Sequence, residues 1–224
     1  MNEIDNMLAG STLLIHKMIS RSVNVSVEWG EKFSQEGFEN DRLLDGYKKY
    51  VNCLLANLEH HHLVEDEIMF PFFQDKLPNT MFEQLVAEHK TITTVIESLK
   101  AVPLLNDDAA NLQSDVADIY QTLTKISDLW FKHIRFEEDD FINRLGDFVS
   151  QDESLSLLEK ISTYRDDLFE PYSLTMPFIL FNLEPEERQI MAMELPPEVV
   201  EELIPVVWKA EWETMPPFFV DNIA

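Results

Sequence analysis

Residues 59–71, EHHHLVEDEIMFP, set histidines and carboxylates among leucine, isoleucine, methionine and phenylalanine. Residues four apart in an α-helix lie about 40° apart around the axis and about 6 Å along it, so His61 and Glu65 point the same way, as do His62 and Asp66. The apolar seam selects between the pairs: Leu54, Leu58, His61, Glu65, Ile68 and Phe72 follow in steps of four and three, the rhythm of a core-facing stripe. His61 and Glu65 are therefore expected to face the core, with His62 and Asp66 as the alternative pair. His60 is expected at the rim, since adjacent residues lie about 100° apart. A buried imidazole and carboxylate need partners, and those must come from elsewhere in the chain.

Three other stretches carry the same signature. A helix from about Glu3 to Phe33, broken at Gly37, places His16 in the stripe Leu8, Ile15, Ile19, Val23. The helix bearing the histidine run is expected to start near Asn40 or Asp41, either of which can cap it, and to reach about Lys76, with a kink or an end at Pro71. After the turn LPNT, with Asn79 or Thr80 as cap, a helix from about Thr80 to Ala101 carries Leu85, His89, Ile92, Ile96 and Leu99. A fourth, from about Asp107 to Phe148, carries Leu123, Ile126, Trp130, His133, Glu137 and Asp140, so His133 and Glu137 repeat the spacing of His61 and Glu65. Four long amphipathic helices with short connections predict an all-α, up-down-up-down four-helix bundle over residues 1–150.

Each helix thus puts a histidine on its own apolar seam, and two add a carboxylate one turn on. Packed core histidines would leave the two glutamates buried without partners, which is costly. A metal centre satisfies His16, His61, Glu65, His89, His133 and Glu137 together. Six groups exceed what one tetrahedral ion uses, and two ions bridged by Glu65 and Glu137 would use them all. Imidazole with carboxylate suits iron, manganese or zinc, and the lone cysteine, Cys53, leaves no thiolate set for a closed structural zinc site.

These residues resemble the hemerythrin-like, or HHE cation-binding, family: a histidine in the first helix, H-x-x-x-E in the second followed by Phe70-Pro71, Glu88-His89 in the third and H-x-x-x-E in the fourth, over roughly residues 8–148. The resemblance implies a non-haem di-iron centre, its two ions joined by an oxo or hydroxo bridge, with the six residues above as ligands. Oxygen-carrying members have a second histidine four residues after the one in the third helix, where Thr93 stands here, which implies a position open to water, substrate or oxidant. Carriers also use a longer histidine-to-aspartate spacing in the fourth helix, which leaves Asp139 as an alternative to Glu137. Three functions follow as expectations: binding or sensing of dioxygen, nitric oxide or a related redox ligand; oxidoreduction with peroxide or dioxygen; and iron storage or donation to damaged iron-sulfur clusters.

Composition narrows the partners. With 17 basic and 42 acidic residues the formal charge is −25, which repels phosphate backbones and anionic lipid and excludes nucleic acid and membrane surfaces. One cysteine and no long apolar run suit a reducing, cytoplasmic setting. Beyond residue 150 the character changes: eight of the 11 prolines lie after residue 170 and no histidine does. Residues 151–224 are expected to form a Pro-rich helical extension packed on the bundle, with helices over about 153–167, 184–194 and 198–213, the last kinked at Pro205. Between the first two, PYSLTMPFILFNL looks too broken by Pro171 and Pro177 for a long helix. Its methionines and phenylalanines suit a core extension, a lid or channel over the metal site, or a homo-oligomer surface.

Overall fold

The computed structural model describes residues 3–106, 111–164 and 167–220, and no strand occurs among them. Helix α1 (Glu3–Glu36) stops where Gly37 adopts φ 76° and donates its N–H to the Phe33 carbonyl at 2.9 Å, a left-handed cap that glycine takes without a Cβ penalty. Helix α2 (Asp41–Val64) starts at Asn40, whose Oδ1 accepts the Leu43 N–H at 2.9 Å. Pro71 does not end the helical run. A wide π turn over Glu65–Met69, closed by the Phe70 N–H on the Glu65 carbonyl, leads into the short helix α3 (Phe70–Phe73). Proline removes one donor and crowds the preceding turn, and widening that turn is how the helix passes it. The run ends at Phe73, short of Lys76.

Helix α4 (Asn79–Lys100) has Pro78 at its cap position and no side-chain cap, so neither Asn79 nor Thr80 serves as one. Helix α5 (Leu112–Asp140) is capped by Asn111, and the expected start at Asp107 lies outside the described residues. It ends at Asp140, eight residues earlier than expected, and Ile142–Asp147 tighten into a 3-10 turn. Side chains three apart eclipse in that turn, and it sends Ile142 and Leu145 into the core beside Phe141. Helices α1, α2, α4 and α5 form the up-down-up-down bundle, with α5 packed on α1 and α4.

The C-terminal segment lies along this bundle. Helix α6 (Gln151–Thr163) opens on a reciprocal cap between Ser150 and Glu153. Helix α7 (Tyr172–Phe181) does form, across Pro177, contrary to the broken segment expected. It is apolar all round, and burial of Phe178, Ile179 and Leu180 holds it despite the missing donor. Helix α8 (Pro185–Ala192) places proline at its first position. Val199–Val207 winds as a π helix through Pro205, and the short helix α9 (Lys209–Trp212) follows the break at Trp208. Leu180, Phe218 and Phe219 share one core with Tyr50 and Leu54 of α2, while Met193, Val206 and Val207 remain exposed. No helix among the described residues is long and apolar enough to cross a membrane.

Gly46 shows how closely the segment seats. A Cβ built there would overlap the Thr214 carbonyl oxygen, and the Thr214 hydroxyl donates to Asp45 at 2.8 Å. Glycine to alanine inside a helix ordinarily stabilises by roughly 0.5–1 kcal/mol. Here the backbone clash outweighs that gain, so Gly46→Ala is expected to unseat residues 209–220. Faster proteolysis in that stretch and red-shifted Trp212 emission, with the bundle helicity retained, would show it; wild-type behaviour on both counts would refute it.

Candidate metal centre

Side chains from all four bundle helices meet midway along the core. One ligand atom each from His16, His61, Glu65 and Glu137 lies within 4.8 Å of the others, and His62, His89 and His133 form a second group by the same measure. Helical spacing sets this up locally: Glu65 and Glu137 each follow a histidine by one turn, so imidazole Nε2 and carboxylate approach at 3.3 Å in α2 and 3.6 Å in α5. Across the bundle, Glu65 lies 3.4 Å from His89 Nε2 and Glu137 lies 3.4 Å from His16 Nε2. Each glutamate therefore touches one histidine of each group. That is the geometry of a carboxylate shared between two cation positions.

The hydrogen bonds supply a test of fit. His16 Nε2, His61 Nε2, both nitrogens of His62 and all four carboxylate oxygens of Glu65 and Glu137 are buried without a hydrogen-bond partner. Buried polar atoms are nearly always paired, each exception costing on the order of 1–3 kcal/mol. So many orphans converging on one place fit a site shaped for cations. On their outer side, three rings are held by carboxylates: His16 Nδ1 meets Glu138 at 2.8 Å, His89 Nδ1 meets Asp66 at 2.9 Å and His133 Nδ1 meets Glu88 at 3.0 Å. An imidazole donating from Nδ1 presents its Nε2 lone pair inward, as a metal ligand must.

Charge is distributed unevenly across the cluster. Burial, reinforced by Glu137, pushes the Glu65 carboxyl up to about 8. Burial also opposes charge on Glu137, yet the neighbouring His16 prevails and holds that carboxyl down at about 2. For His16 burial again works against charge, and Glu137 overcomes it, raising the imidazole to about 10. Burial drives His61 and His62 well below the ordinary histidine value, with the surrounding imidazoles adding to it. Burial works against charge on His89 as well, and Asp66 and Glu65 overcome it, raising that imidazole to about 9. The metal-free site thus favours charge on His16, Glu137 and His89 and disfavours it on Glu65, His61 and His62. Two cations would replace the protons held there.

Of the residues singled out in the sequence, His16, His61, Glu65 and Glu137 lie in one group and His89 and His133 in the other. His62 is the difference. It joins the second group, stacked on His89 at 4.1 Å with planes 16° apart, and does so beside His61 instead of replacing it. Adjacent residues can both face the centre because α2 is buried over a wide arc, as Leu54 with Leu55 and His61 with His62 show. The doubled leucines were the sequence signal for that. Asp66 holds the outer side of His89, whereas Asp139, Asp140 and Thr93 are exposed. His60 packs on Phe169 at 3.8 Å, away from both groups. Sequence reasoning missed Glu88 and Glu138, exposed-looking neighbours of seam histidines, and the role of Trp130, whose ring lies 5.6–6.1 Å from His16, His61, His62 and His133.

The family model of the hemerythrin HHE cation binding domain matches residues 15–145, which span both histidine groups. No curated protein and no solved structure matches the chain.

Proposed function

Because the chain belongs to the hemerythrin HHE cation-binding family, we propose that its two groups hold a pair of iron ions that binds dioxygen or a related small redox ligand such as nitric oxide or peroxide. The observation that carries this reading is the convergence of unpartnered imidazole and carboxylate atoms in a fully buried place. His16 and His61 would hold one ion and His62, His89 and His133 the other, with Glu65 and Glu137 shared between them. Such a donor set, imidazole with carboxylate and no thiolate, supplies redox chemistry when iron fills it, and accepts manganese or zinc as well.

The protein's own contribution is orientation and exclusion of water. Glu138, Asp66 and Glu88 fix three rings, and outer partners of this kind typically contribute 10–100-fold in metal affinity. Trp130, anchored by its Nε1–H to Ser20 Oγ at 2.9 Å, closes one side. Donors drawn from all four bundle helices and buried together favour a resident pair over iron held as cargo for storage or donation.

Metal analysis of protein purified without added metal, with optical spectra before and after reduction and re-exposure to air, tests the proposal. About two irons per chain and near-ultraviolet bands that bleach on reduction are expected. A reversible visible band on re-oxygenation would mean ligand binding, and irreversible oxidation would mean turnover. Zinc in place of iron would overturn the redox assignment, and manganese would overturn iron as the metal. An intact protein that takes up no metal would overturn the centre itself.

A further inference from the structure

Beside the first histidine group lies a partly open cavity of about 630 Å³, which neither the bundle nor the C-terminal segment forms alone. The bundle contributes Leu8, Ile15 and Val64, and the C-terminal segment closes over them with Met176, Ile179 and Trp208. At its inner end the wall is His61 and Glu65 themselves. One water molecule takes about 30 Å³ in the liquid, so the space is about twenty times what a diatomic ligand needs. Its size is that of pockets for organic molecules.

The lining also has a chemical character. It contains no lysine or arginine, and the formal charge of the chain is −25, so nothing there would receive a carboxylate or phosphate. Most of its polar groups are already engaged: Asn57 donates to the Cys53 carbonyl at 2.8 Å, Thr12 to the Leu8 carbonyl at 3.1 Å, Tyr164 to Glu67 at 2.8 Å, and Glu194 accepts from Ser11 at 2.7 Å. What remains facing the space is mainly aliphatic and aromatic surface, with His60, His61 and Glu65 as the ionisable groups beside the first histidine group.

We propose that this cavity is a binding site for a neutral, lipophilic organic molecule, held with one end against His61 and Glu65. The site deepens the di-iron reading by naming the second reactant's class, and rests on that reading only for what happens at the inner end. A chain that merely bound a diatomic would need no such space. The C-terminal segment is then the outer wall of a substrate pocket.

Titration of the protein, as purified and again after metal removal, with N-phenyl-1-naphthylamine, a neutral probe whose emission rises in apolar surroundings, tests the site. One saturable site per chain is expected, emptied by 1-dodecanol and at least tenfold less readily by dodecanoate. Met176→Trp and Leu158→Trp, which fill the cavity from two different helices, should each weaken the probe at least tenfold while helicity and metal content stay as in the wild type. If one variant fails to fold, the other decides. Absence of saturable binding, folded variants that bind like the wild type, or dodecanoate competing as well as dodecanol would each overturn the proposal. Probe binding by a protein that takes up no metal would defeat the di-iron reading and leave the cavity standing; two bound irons without probe binding would do the reverse.

Discussion

Glu137→Ala is expected to leave at most one metal ion per chain where two are expected for the wild type. Glu137 stands 3.4 Å from His16 Nε2 and 3.6 Å from His133 Nε2, so its loss removes a donor from both cation positions at once. Loss of an outer partner costs 10–100-fold in metal affinity, and loss of a shared inner carboxylate should exceed about 100-fold on that scale. Glu137→Gln provides the control, because it keeps the shape while removing the charge and turning one acceptor oxygen into an NH2 donor. Both variants should fail in the same way if the carboxylate is a ligand. Metal analysis after dialysis against a weak chelator measures this, and full two-metal occupancy in both would refute the shared carboxylate. The variants also bear on the metal-free protein. Without Glu137, His16 loses its strongest support against burial and keeps only Glu138 and Glu65, so its imidazole should give up its proton more readily than in the wild type, which nuclear magnetic resonance of the ring can follow.

His62→Leu should separate metal binding from stability, with opposite signs. Both ring nitrogens of His62 are buried and unpaired, and the residue is 3% exposed. Replacing it by an apolar group of similar size relieves an unsatisfied site, which is worth roughly 1–3 kcal/mol. A protein of this length gains about 2–4 °C in thermal midpoint per kcal/mol. The metal-free variant should therefore melt several degrees higher than the metal-free wild type, and the same variant loaded with metal should hold one ion instead of two. A purely structural histidine would give the reverse pattern, lower stability and unchanged metal content. Adding Thr93→His to His62→Leu should not restore the second ion, because position 93 lies on the exposed flank of α4. Restoration would show that the third imidazole belongs to α4 and that His62 is incidental.

How far the residues alone disclosed this molecule depended on how local the physics was. Caps and breaks such as Asn40, Gly37 and Ser150 act within a turn, and the helices begin and end near them. Pro71 and Pro177 were harder, because a proline in a buried helix is met by widening a turn or by packing, and both depend on surroundings. The early end of α5 belongs with these: the Phe141, Ile142 and Leu145 side chains turn inward because core space is there to receive them.

The sequence by itself determined the bundle, the seam, and the presence on that seam of His16, His61, Glu65, His89, His133 and Glu137, since helical periodicity converts spacing into direction. Only the tertiary structure decided which of those donors meet. It divided them between two positions, brought His62 into the second, set Glu88, Asp66 and Glu138 behind three rings, and folded residues 172–220 over the bundle so that His61 and Glu65 end a cavity. The physical reason is that periodicity along one helix fixes a face, whereas distances between helices and the space left between them are set by how side chains far apart in the chain pack together.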